Sequence, residues 1–185
     1  MKLYYFPSPN PQKVKFALRE LGLECELVPV DLIEREQREA WFLALNPCGR
    51  VPVLTDGNVT LWESHAILSY LGDKVGKLWP TTPAGRADAL RWLFFLSGHI
   101  SPPAADLAFN RIAIKLIGGQ GDEAAIARGE KALPEVMRVL DASWPRASGC
   151  LATTSLWWNA RMARCSTWWR KLASGTATSP RCAHT

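Results

Sequence analysis

The chain has 185 residues, 48% of them apolar and 21% charged, with a formal net charge of +5. Such a composition excludes a disordered or collagen-like chain, and no apolar run reaches the ~18 residues of a membrane span. The charge is unevenly placed: residues 1–141 carry 16 Lys and Arg against 17 Asp and Glu, whereas residues 142–185 carry six basic and no acidic residues. The larger part is therefore net −1, which speaks against nucleic acid as a partner. The two parts are read separately.

Residues 2–6, rich in aromatics, predict a strand that starts with the chain. No signal-peptide core follows it, which implies a cytoplasmic setting. Pro7-Ser8-Pro9-Asn10-Pro11 interrupts the strand. Asn10 is the expected helix cap and Pro11 the expected start of a helix through Leu21, ended by Gly22. Residues 24–30 predict a second strand, and residues 34–45 a second helix stopped by Asn46-Pro47. Residues 50–55 and 59–62 predict an antiparallel pair around Asp56-Gly57-Asn58, and residues 63–74 a third helix. The order βαβαββα predicts an α/β thioredoxin-like domain over residues 1–76, with helices on both faces of a small mixed sheet.

Residues 77–85 read as a linker docked by Leu78 and Trp79. Residues 86–141 predict an incomplete all-α domain. One long helix is expected over about 85–117, with Leu90, Trp92, Leu93, Phe94, Leu96, Leu107, Ile112 and Leu116 on its apolar face and a break or kink at Pro102-Pro103. A second helix is expected over 122–140, bent at Pro134. Gly118-Gly119-Gln120-Gly121 between them is a loop and no phosphate cradle, because no strand precedes it and no Lys-Ser/Thr follows. The five cysteines (25, 48, 150, 165 and 182) have neither zinc nor CxxC spacing, so no metal site is expected. His65 reads as a packing or surface histidine, and Cys25 as a small core residue.

Two motifs carry chemistry. Asn46-Pro47-Cys48-Gly49-Arg50-Val51-Pro52-Val53-Leu54, followed by Leu61-Trp62-Glu63-Ser64-His65-Ala66-Ile67, resembles the glutathione transferase superfamily, whose pattern is N-P-x-G-x-V-P-x-L and then an acidic residue and Ser opening a helix. The resemblance implies reduced glutathione as co-substrate. It implies a cis bond before Pro52, with the N–H and C=O of Val51 pairing with the cysteinyl unit of the tripeptide. Ser64 and the helix N-terminus behind it would hold the γ-glutamyl carboxylate, an anion at the positive end of the dipole. Glu63 would take the γ-glutamyl ammonium and Arg50 would reach the tripeptide. The nucleophile is the thiolate, so the site must favour that form near neutral pH. Ser8-Pro9-Asn10 resembles the Thr-Pro-Asn turn of the bacterial nu-like group, which makes Ser8 and Asn10 the leading sulfur-stabilising donors and Tyr5 the alternative. The second substrate would be a small hydrophobic electrophile, or a disulfide or peroxide, bound against the helix of residues 86–117. Relatives of this type usually form homodimers. The rival readings are a glutathione-binding module without turnover and an inactive truncated product.

Residues 142–185 do not continue this pattern. They hold the Trp-Trp pairs 157/158 and 168/169. Tryptophan has the single codon TGG, so a Trp-Trp pair read one base earlier gives an apolar residue, then Val, then Val, Ala, Gly, Asp or Glu. Permitted codons across this stretch yield a run that resembles the family's Ser-x-x-Asp/Glu capping box. The expectation is a shift of reading frame near residue 142, which removes part of the second domain's core. Sequencing the gene is expected to find a single-base insertion or deletion near codon 142 relative to close relatives. A frame shared intact with those relatives would contradict the shift.

Overall fold

The computed structural model describes residues 1–116 and 118–143; the expectations for residues 144–185 lie outside the described residues. The chain divides after Thr81 into two compact units.

The first unit is built on a four-stranded sheet of β1 (Lys2–Tyr5), β2 (Glu26–Pro29), β3 (Val53–Asp56) and β4 (Val59–Trp62), in the order β2-β1-β3-β4. β1 runs parallel to β2 and antiparallel to β3, and β3 is antiparallel to β4. Alternation along β1 sorts its side chains between two cores. Leu3 and Tyr5 face the cluster of Val14, Leu18, Leu54, Ile67 and Leu71, which seats helices α1 (Pro9–Glu20) and α3 (Ser64–Val75). Tyr4 faces Val30, Phe42 and Val53, which seat the short helix α2 (Ala40–Leu45) on the other side. This is the thioredoxin-like arrangement the sequence predicts. Register Asp56↔Val59 leaves Gly57 and Asn58 as a two-residue turn, with Gly57 at φ +57°. The Tyr70 hydroxyl donates to Asp56 Oδ2 at 2.7 Å and Lys74 pairs with the same carboxylate, which ties that turn to α3.

Several boundaries differ from expectation: β3 starts at Val53 and not at residue 50, leaving Arg50, Val51 and Pro52 in the loop before it, and two helices differ more. α1 begins at Pro9, with Ser8 as N-cap, so Asn10 lies inside the first turn and is not the cap. Both Pro9 and Pro11 satisfy the preference for proline in a first helical turn, and the earlier one is used. The expected helix over 34–45 is broken. Asp31 Oδ1 accepts from the N–H groups of Ile33 and Glu34, Arg35 adopts φ +62°, and a single 3₁₀ turn Glu36–Arg38 precedes an extended Glu39. An aspartate turn at the entry competes with helix initiation there.

The linker docks through Trp79: a Cβ at Gly72 of α3 would lie 2.7 Å from Trp79 Cβ, so only glycine permits the approach. The second unit opens with Thr82, whose Oγ1 accepts from Gly85 N at 3.1 Å to cap α4 (Pro83–Phe95). The long helix expected next, with a break or kink at Pro102-Pro103, is interrupted twice, the first time just before those prolines. A π-helical turn Leu96–Ile100 precedes α5 (Ser101–Ala108), and a second, Phe109–Ala113, precedes the short α6 (Ile114–Leu116). The first places Pro102 and Pro103 in the opening turn of α5, where a missing N–H costs least. Trp92, Leu93, Leu96 and Leu107 are buried as expected, but Leu90 and Phe94 are 40% and 70% exposed. Asp122 Oδ1 accepts from Ala124 N at 2.8 Å and opens α7 (Glu123–Ser143), which runs through Pro134.

α7 packs on α5 through Ala104, Leu107 and Leu133. Their approach centres on Gly129, where a Cβ would meet Leu107 Cγ at 2.7 Å and Pro103 O at 2.8 Å. Gly129→Ala is expected to destabilise the protein by about 1–3 kcal/mol through overpacking, despite the better helix propensity of alanine. A fall in the urea midpoint checks it; an unchanged or raised midpoint would contradict it.

Candidate functional site

The strand registers bring three chain segments to one end of the sheet. β1 ends at Tyr5 and leads to Ser8, β3 begins just after Pro52, and β4 ends at Trp62, next to Glu63. Tyr4 pairs with Val53, and Val53 pairs with Trp62, so all three junctions lie at the same edge. The predicted residues Ser8, Asn10, Val51, Pro52, Glu63 and Ser64 are therefore neighbours in topology although they lie up to 56 positions apart in sequence.

The loop before β3 is held by one side chain. Asn46, 2% exposed, donates from Nδ2 to the carbonyl of Arg50 at 2.7 Å and accepts at Oδ1 from Cys48 N at 3.0 Å. Gly49 sits at φ +59°, and a Cβ there would come within 2.9 Å of Arg38 Nη1 and of the Gln37 carbonyl. The Arg50 side chain is left exposed. The Val51–Pro52 bond is cis. The ladder begins only at Val53, and within the described residues the main-chain N–H and C=O of Val51 form no hydrogen bond.

The first turn of α1 has an unusual donor inventory. A helix normally opens with three free amides that a capping serine partly satisfies. Here Pro9 and Pro11 occupy the first and third positions and carry no N–H, so Asn10 holds the single free amide of that turn. A serine cap bonds the amide of the second or third residue, and Pro11 removes one of those targets. Ser8 Oγ makes no cap bond and no other hydrogen bond within the described residues. Tyr5 lies against the α1/α3 core with Lys15 Nζ 4.6 Å above its ring.

The first turn of α3 is arranged oppositely. Glu63 precedes it at φ +70°, exposed and making no side-chain cap, and its carbonyl accepts from Ile67 N at 3.0 Å. The amides of Ser64, His65 and Ala66 thus precede the first intrahelical bond. Ser64 is only 6% exposed.

Sequence reasoning missed one pair that joins the two turns. Lys13 Nζ donates to Asn10 Oδ1 at 2.9 Å and lies 3.4 Å from His65 Nε2. Burial lowers Lys13 to about 8, against the raising effect of Glu63. Burial first, and then the Lys13 charge, lowers His65 to about 4. A cationic lysine can only donate, so Nε2 of a neutral His65 accepts and its ring proton sits on Nδ1. The only sequence signal was the Asn10–Lys13 spacing, one helical turn; the contact with His65 bridges 52 positions.

A thioredoxin-like sheet with a cis proline leading into β3 and two helix N-termini at the same edge sets an open main-chain segment beside two positive helix ends, the class of site that suits an extended anionic peptide. The comparisons specify the family. The family described as "Glutathione S-transferase, N-terminal domain" matches residues 1–73. Glutathione S-transferase 3 of Zea mays is 39% identical over 151 residues, covering 79% of this chain and 68% of that protein. Disulfide-bond oxidoreductase YfcG of Escherichia coli is 35% identical over 107 residues, covering 55% of this chain and 50% of that protein. Among solved structures, a glutathione transferase family member from Pseudomonas fluorescens with two glutathione bound superposes with a TM-score of 0.70 at 31% identity, covering 78% of this chain and 65% of that chain. The chain belongs to the glutathione S-transferase family. Among the described residues no helix is long and apolar enough to cross a membrane.

The His65 environment has a consequence for acid stability. Its folded value lies below the unfolded value of about 6.5, so the unfolded chain binds the extra proton between those limits. The contribution is present above about pH 6.5 and is lost as pH falls toward 4, on the order of 2 kcal/mol after allowing for partial exposure. His65→Gln is expected to shrink the fall in urea midpoint between about pH 7 and about pH 4.5. An identical fall in the variant would contradict this.

Proposed function

We propose that the chain is a glutathione transferase whose first unit binds reduced glutathione in extended form across the edge described above. The main-chain N–H and C=O of Val51 take the cysteinyl unit as a short strand addition. The main-chain amides of Ser64 and Ala66 in the first turn of α3, with Ser64 Oγ, take the γ-glutamyl carboxylate. Glu63 pairs with the γ-glutamyl ammonium, and the exposed Arg50 reaches the tripeptide. Ser8 Oγ and the Asn10 side-chain amide donate to the sulfur, which favours thiolate over thiol. The observation that carries the reading is the convergence of Ser8-Asn10, Val51-Pro52 and Glu63-Ser64 at one sheet edge, with Ser8 Oγ and the main chain of Val51 uncommitted among the described residues.

The thiolate so held attacks an electrophilic carbon and forms a thioether, the electron pair passing to a leaving group or an activated double bond. The same thiolate attacking a disulfide forms a mixed disulfide and expels a thiolate. That second chemistry is favoured by the 35% identity to a protein named as a disulfide-bond oxidoreductase. A homodimer fits the exposure of Leu90 and Phe94 on α4, an apolar strip that a second copy would cover.

Retention of the protein on immobilised glutathione tests the assignment. Ser64→Ala is expected to weaken retention by roughly 10-fold or more, the loss of a hydrogen bond to a charged group. Undiminished retention by Ser64→Ala would contradict the carboxylate site.

A further inference from the structure

Lys13 occupies a position that the reading above leaves unexplained. A lysine on an amphipathic helix ordinarily extends into water. Lys13 instead turns into the contact between the first turns of α1 and α3, where burial opposes its charge. Asn10 faces it from its own helix, and His65 and Glu63 face it from the opening of α3. Lys15, two residues on, is directed to the Tyr5 ring and does not share this contact.

The hydrogen bond to Asn10 has a direction. An ammonium group offers only donors, so the Asn10 atom that meets it is the carbonyl oxygen. Asn10 is then left with its two amide N–H donors. An amide whose oxygen is bonded to a cation is polarised and donates more strongly.

We propose that Lys13 is a positioning residue for the sulfur site: by binding Asn10 Oδ1 and bridging to His65, it fixes the first turn of α1 against that of α3 and presents the Asn10 amide N–H groups to the glutathione sulfur. The inference rests on the proposed role of Asn10 as a donor to the thiolate. It also accounts for the retention of a partly desolvated charge. A methionine of similar length would fill the same space without the desolvation cost.

The test is a pH titration of the ultraviolet thiolate absorbance of glutathione bound to the full chain, in wild type, Asn10→Ala, Lys13→Met, Lys13→Arg and the Asn10→Ala/Lys13→Met pair. Asn10→Ala is expected to raise the pKa of the bound thiol by about one unit, and Lys13→Met by a comparable amount. The double variant should do no more than Asn10→Ala alone, because Lys13 acts through Asn10. Lys13→Arg, which keeps a cationic donor, should restore part of the effect. Lys13→Met should melt no lower than wild type and bind glutathione within about three-fold of it, whereas a merely structural lysine would lower both. If Asn10→Ala raises the thiol pKa and Lys13→Met leaves it in place, the inference is overturned while the reading of Asn10 stands. If Asn10→Ala has no effect, the reading of Asn10 itself fails. Additive shifts in the double variant would overturn the inference by showing that Lys13 acts on the sulfur without Asn10.

Discussion

Leu3, Val14, Leu18, Ile67 and Leu71 form one apolar seam that seats α1 and α3 side by side on a single face of the sheet. The seam is built of side chains less than 5% exposed, each contributing about 1.5–3 kcal/mol through burial, so the pairing of these helices is fixed by the core. Because both helices start at the same sheet edge, the seam also brings their positive ends together. Charge of one sign gathered at one place is a poor arrangement for stability and a good one for an anion. A thiol tripeptide that carries carboxylates and a reactive sulfur is the ligand chemistry that such an edge suits.

The two helix ends differ in a way that divides the work. α3 opens with main-chain amides ahead of its first intrahelical hydrogen bond, the end at which the proposed carboxylate would sit. α1 opens with Pro9 and Pro11 around Asn10 and has almost no main-chain donors to offer, so side chains must serve there. Pro11 also removes one of the two amides that Ser8 could cap. Between the two ends stands Lys13, whose ammonium holds Asn10 and neighbours His65. Asn46 performs the analogous task for the loop before β3, spending both ends of its amide on the backbone so that Val51 is held in place with its own groups open.

How much of this is legible in sequence follows from the range of each interaction. The turn between β3 and β4, the strand β1 and the start of α3 are specified by neighbours within a few residues, and they fall within a residue of where alternation and turn residues place them. Val51-Pro52 and Glu63-Ser64 lie at one edge of the sheet because they flank the paired ends of β3 and β4. Failures occur where two local rules compete. Pro9 and Pro11 are equally good first-turn residues, and Asp31 builds a turn where charge and apolar spacing suggest a helix. The π-helical turns at Leu96–Ile100 and Phe109–Ala113 leave the apolar pattern nearly helical and so escape notice. The Lys13–His65 contact is invisible to any local rule, because only the packing of α1 on α3 creates it.

The most direct test of the central claim, that one sheet edge receives glutathione along Val51 and at two helix ends, is a titration of the isotope-labelled protein with reduced glutathione followed by amide nuclear magnetic resonance. The account predicts saturable shifts concentrated at Asn10, Val51, Ser64 and His65, with Gly57 and Asn58 at the far turn unmoved. Shifts absent from those amides at saturating ligand, or spread evenly over both ends of the sheet, would contradict it.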